Sequence, residues 1–135
     1  MGNQIDKKDQ DSANEMPVVD TTHFTVIKPF NEEKVNEHAA KCGGRRNLRE
    51  VPISTDTDEI FIYLVKKPGR NLMQAIAVEE NKKDKKDITA VQNMLMGCVL
   101  EGDREALDND GAIYSELLKA IGSLVRSAKG DVKKL

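Results

Sequence analysis

Only a few residues in this chain have the types and spacing that chemistry requires. His38 and Cys42 stand four apart in a segment of helical pattern, so both fall on one face, as two metal ligands would. A structural zinc site needs two more, and His23 and Cys98 stand in no paired spacing. The pair is therefore read as a surface histidine beside a half-buried cysteine, and no metal or other cofactor is expected. Asp108-Asn109-Asp110-Gly111 resembles part of a calcium loop. Counting from Gly111, that loop wants an acid where Ala106 stands and a bidentate Glu where Leu117 stands. A turn followed by a helix cap explains these residues better. No phosphate-cradling glycine motif and no G-x-S-x-G elbow occurs, and no pair of acids is singled out from a charged surface. A non-enzymatic protein is expected.

Cations offer the next chemistry. Lys66, Lys67 and Arg70 cluster at a predicted strand-to-helix turn, and Lys82, Lys83, Lys85 and Lys86 fall in one predicted loop. Glu79, Glu80, Asp84 and Asp87 interleave with the second group and weaken its field within a Debye length of about 8 Å. Across the chain, 21 Lys and Arg face 23 Asp and Glu, a net charge of −2. Nucleic-acid-binding domains usually carry a basic excess, because each neutralised phosphate needs a cation. Solvated charge is the first reading of these lysines, and a small nucleic-acid-binding protein using a local patch is the alternative. Gly43-Gly44-Arg45-Arg46 is read as a helix stop followed by solvated arginines rather than as an anion nest.

The elements that must position these residues are modest. The chain has 135 residues, 39% of them hydrophobic and 4% aromatic, with no Trp, which allows one mostly aliphatic core plus a tail. Residues 1–22 are polar and mixed in charge, with few apolar side chains beyond Ile5, Val18 and Val19. They bury too little to offset the cost of ordering and are expected to form a disordered arm before a single domain over 23–135. Asp6 and Asp9 leave no apolar leader, and Asp6 also spoils a myristoylation motif. The longest apolar run, 94–100, is broken by Gly97 and is far short of the roughly 20 residues of a membrane span. Two distant cysteines make no disulfide framework. A reduced, cytoplasmic protein is expected.

Residues 23–30 lean towards strand and end at Pro29. Asn31 then caps a helix over 32–41, stopped by Gly43-Gly44. Leu48, Val51 and Ile53, a polar turn at 54–58, and the run Ile60 to Val65 predict an antiparallel hairpin whose second strand is apolar on both faces. Pro68-Gly69 breaks that strand and opens a helix carrying Leu72, Met73, Ile76 and Val78, which ends in a charged run over 79–87, a loop or a frayed helix end. Asp87 caps a helix with Ile88, Val91, Leu95 and Cys98 on one stripe. Residues 101–110 are acidic and hydrophilic, with Gly102 as a natural stop. Asp110 caps a last helix whose stripe runs Ile113, Leu117, Ile121, Leu124, Val125 and Ala128, ended by Gly130. The fold class is α+β: a hairpin or three-stranded sheet packed by about four helices.

Two phrases carry a family resemblance. One is Tyr63-Leu64-Val65-Lys66-Lys67-Pro68-Gly69-Arg70, an aromatic strand running into a turn. The other is Gly97-Cys98-Val99-Leu100-Glu101-Gly102-Asp103, which precedes an acidic stretch and a final helix. In this order, over residues 31–135, the chain resembles the small phage tail assembly chaperone-like proteins, whose phrases are of "KPDR" and "CWLGGD" type. Gly69 stands where that pattern has Asp, and Val99 where it often has Trp. The resemblance implies a non-enzymatic morphogenesis protein with no catalytic residues, which binds the tape measure protein and helps recruit tail tube subunits; self-association or co-purification with a helical tail protein is expected. On such a surface Met73, Met94 and Met96 would serve as adaptable apolar contacts, with Lys66, Lys67 and Arg70 beside them.

Overall fold

The computed structural model describes residues 23–82 and 87–135. The arm expected over 1–22, and Lys83, Asp84, Lys85 and Lys86, lie outside the described residues. Strand β1 (Thr25–Ile27) is followed by helix α1 (Glu32–Lys41), a 3-10 turn (Arg45–Asn47) and strands β2 (Leu48–Ser54) and β3 (Glu59–Lys66). Helices α2 (Arg70–Glu80) and α3 (Ile88–Met96), strand β4 (Val99–Glu101), and helices α4 (Arg104–Asn109) and α5 (Gly111–Leu124) complete the chain. This is an α+β fold around one mixed four-stranded sheet.

Strand β3 is the axis. Its run of β-branched and aromatic residues fits a pleated surface buried on both faces. Along one edge it pairs antiparallel with β2, from Leu48 opposite Lys66 to Ser54 opposite Ile60. The other edge is shared: β1 lies parallel to the first half, and β4 lies antiparallel to the second, across an irregularity between Leu64 and Val65. Strand β2 forms the outer edge, where Pro52 removes one backbone donor and discourages pairing with another chain.

Alternation along β3 divides the core in two. Phe61, Tyr63 and Val65 point to one face, where they meet Ile53, Val99, Leu107 and the α5 stripe Ile113, Leu117 and Ile121. Full burial of each of those three α5 residues stabilises the fold by about 1.5–3 kcal/mol. Leu64 points to the other face, against Leu48 and the α1 residues Val35 and Ala39. Helix α1 covers only that end of the face. Further along, in register across three strands, Val26, Ile60, Ile62 and Pro52 stay wholly or partly open to solvent, beside the Lys28 Nζ–Glu50 Oε2 ion pair of 2.9 Å.

Several expectations are met residue for residue. Helix α1 spans the predicted 32–41, with Asn31 Oδ1 accepting from Lys34 N at 3.0 Å, and Gly44 N closes it onto Ala39 O at 2.8 Å. Asp87 and Asp110 cap α3 and α5 as expected. Others are corrected. Cys98 lies outside α3, because the helix ends at Gly97 and the chain turns into β4. The acidic stretch over 101–110 is structured: Glu101 ends β4, and α4, capped by Asp103, buries Leu107. Glu79 is the last buried residue of α2, not part of a loop or a frayed end, and accepts from Lys82 Nζ at 3.0 Å. Helix α5 stops at Leu124, since beyond it Val125 and Ala128 meet no surface that would bury them.

Candidate functional site

The chain leaves β3 in a conformation set by Pro68, which cannot donate to a ladder and holds the preceding residue extended. Backbone hydrogen bonds tie this exit on both sides. Lys67 N donates to Asn47 O at 2.8 Å, and Lys66 N donates to Cys98 O at 2.9 Å. The first bond brings the 3-10 turn and the end of α1 beside Lys67; the second brings the α3–β4 junction beside Lys66. Lys66 therefore stands on a ridge between two adjoining grooves.

One groove, of about 520 Å³, is lined by Lys41, Cys42, Arg46, Lys66, Lys67 and Pro68 among others. Its neighbour, of about 640 Å³, is lined by Leu72 and Met94 together with Lys66 and Arg70, with the buried Cys98 behind them. Among the described residues, no carboxylate lines either groove. None of the five cations forms an ion pair with a described carboxylate. Arg45, next to Arg46, is drawn elsewhere by Glu32 Oε1 and Asn36 Oδ1, each at 3.0 Å. Helix α2 opens onto the second groove at Gly69, without a side-chain cap or an acid in its first turn. The other four helices are capped by Asn31, Asp87, Asp103 and Asp110. The open N–H groups of α2 thus add to the positive potential.

The thiols beside these lysines are poorly placed for nucleophilic work. Burial pushes the Cys98 thiol up from its ordinary range and Lys66 only partly counters it. Cys98 is fully buried, and Cys42 is half-buried. His38, the other half of the considered ligand pair, instead bonds Glu101 Oε2 through Nε2 at 2.8 Å and fastens α1 to β4. Among the described residues, no group of three or more His, Cys, Asp or Glu could hold a metal ion.

The structure brings Lys66, Lys67, Arg70 and Met94 together, and adds Lys41 and Arg46, which the sequence reading passed over. Met96 sits apart, packed against the main core. Met73 lies on α2, about one-third exposed, outside both grooves. Lys82 lies at the far end of α2, roughly 15 Å from Arg70 by helical rise. No helix among the described residues is long and apolar enough to cross a membrane.

A second constellation lies where the two resemblance-bearing phrases meet. Tyr63 Oη donates to Asp103 O at 2.7 Å, and Asp103 Oδ1 accepts from Ala106 N at 3.0 Å to cap α4. Gly102, at φ 139, faces the Tyr63 ring so closely that a Cβ there would run into it. Burial and the Asp103 carboxylate push the phenol up to about 12. The cluster holds β3, β4 and α4 together and offers no reactive group to solvent. The chain matches no family model, no curated protein and no solved structure.

Proposed function

We propose that this chain is a non-enzymatic polypeptide-binding module of the tail assembly chaperone kind, gripping a helical segment of a tape measure protein. The observation that carries this is the double groove at the β3–α2 turn. Its wall mixes aliphatic and cationic groups, and among the described residues it is lined by no carboxylate or histidine. Adaptable apolar contacts beside charged rims suit a protein partner rather than a reacting small molecule. The uncovered sheet face at Val26, Pro52, Ile60 and Ile62 adds apolar surface of the same use. The meeting of Tyr63 with Gly102 and Asp103 lends the family resemblance physical sense, since its two short phrases act as one structural unit.

The test is co-expression with the tape measure protein encoded in the same genome. The expected result is a soluble complex that survives size-exclusion chromatography, with the tape measure protein aggregating when expressed alone. No complex, and the same aggregation in the presence of this chain, would overturn the proposal.

A further inference from the structure

We propose that the double groove at the β3–α2 turn binds an acidic polypeptide segment, with carboxylates meeting Lys41, Arg46, Lys66, Lys67 and Arg70 and aliphatic side chains meeting Leu72 and Met94. The inference rests on the polypeptide-binding function proposed above and names the chemistry of the bound segment.

Charge is the first ground. The chain is slightly acidic overall, yet these two grooves collect five cations and, among the described residues, no carboxylate. Both grooves include Lys66 and Gly69, so the five cations are gathered along one continuous stretch of surface. An anionic partner would meet cations that no described carboxylate neutralises. Elsewhere on the surface Lys28, Lys34, Arg45 and Lys82 each meet a carboxylate, while Arg104, Lys119 and Arg126 stand singly; the five groove cations differ in being gathered together. The uncapped start of α2, an 11-residue helix, supplies backbone donors at the same place, suited to a carboxylate oxygen.

The apolar lining decides between anions. Single-stranded nucleic acid is held by aromatic platforms on which bases stack, and no aromatic residue lines either groove. Leu72 and Met94 instead offer aliphatic contact, which a phosphate backbone does not use. A segment that alternates acids with aliphatic residues satisfies both the cations and the apolar lining. Volumes of about 520 and 640 Å³ accommodate several side chains.

The experiment is fluorescence anisotropy of the full chain with three labelled probes: a short peptide of Glu, Leu and Ala; the same peptide with Gln for every Glu; and an oligothymidine of similar length. The acidic peptide is expected to bind, to weaken as salt rises, and to lose at least about tenfold in affinity with Lys66→Glu/Arg70→Glu. Arg46→Glu/Lys67→Glu, at the other groove, provides a second variant should the first fail to fold, as judged by circular dichroism. Equal binding of the acidic and Gln peptides, no binding of either, or unchanged affinity in a folded variant would overturn the inference. Tighter, variant-sensitive binding of the oligothymidine would overturn it in favour of nucleic acid. If the tape measure complex forms and survives both charge reversals, this inference fails while the function proposed above stands. If the acidic peptide binds but no such complex forms, the reverse holds.

Discussion

Placing a methyl group on Gly102 is the sharpest single test of how this core is built. A Cβ there would sit 2.7 Å from Tyr63 Cε1 and 2.9 Å from Cγ, with Cδ1 nearer still. Ordinary carbon contacts lie at about 3.5–4.0 Å, so the ring or the backbone must move by about 1.5–2 Å to clear Cδ1. The ring has little freedom: Tyr63 has no exposed surface and its hydroxyl is anchored on Asp103 O. Overpacking of this kind costs about 1–3 kcal/mol. The backbone at φ 139 is one that L side chains rarely adopt, which adds about 1–3 kcal/mol. Gly102→Ala is thus expected to lose about 2–6 kcal/mol of a domain stability of about 5–15 kcal/mol. Urea unfolding followed by circular dichroism reads this as a lower midpoint at unchanged slope. Gly122→Ala is the control, since a Cβ there meets nothing within 4 Å and alanine favours helix α5 by up to about 1 kcal/mol. A loss below about 1 kcal/mol for Gly102→Ala would show that the close approach to Tyr63 is not what holds β4 in place.

The raised Tyr63 phenol makes stability depend on alkaline pH. Its contribution is fully present below the unfolded value near 10 and is lost as pH rises towards the folded value of about 12, a decline of about 2–3 kcal/mol that Tyr63→Phe should largely abolish in urea titrations. Leu117→Ala removes a fully buried side chain from the centre of the α5 stripe and should cost about 2–5 kcal/mol, measured by the same titration. Under native conditions a thiol reagent should label Cys42 well before Cys98, which is fully buried and thereby held protonated. Equal labelling rates would mean that the α3–β4 junction opens freely.

Local signals in the sequence explain which parts of the fold were legible. Helix α1 announces itself at both ends, by Asn31 and by Gly43-Gly44, and the hairpin by a polar turn between two apolar runs. Strand β4 has three residues, too few for alternation to show, and α4 shows one buried residue, Leu107, in six. Both form because Tyr63, 40 residues away, anchors the segment through Gly102 and Asp103. The stripe drawn through Val125 and Ala128 failed for the opposite reason: periodicity persists where no surface remains to pack against. At the site, Lys66, Lys67 and Arg70 were visible as neighbours in sequence. Lys41 and Arg46 join them only through the Lys67 N–Asn47 O bond, a contact without local signature.

The divided edge of β3 bears on the order in which the chain assembles. Pairing β2 with β3 closes only the turn between Ser54 and Glu59, whereas Thr25 must find Glu59, and Glu101 must find Leu64, across more than thirty intervening residues each. The hairpin can therefore exist before either distant strand arrives, and those two arrive independently, from opposite ends of the sequence, onto separate halves of one line of backbone groups. Pulsed hydrogen exchange during refolding should find amides shared by β2 and β3 protected earliest, with those of β1 and β4 following at rates a Gly102 substitution alters for β4 alone.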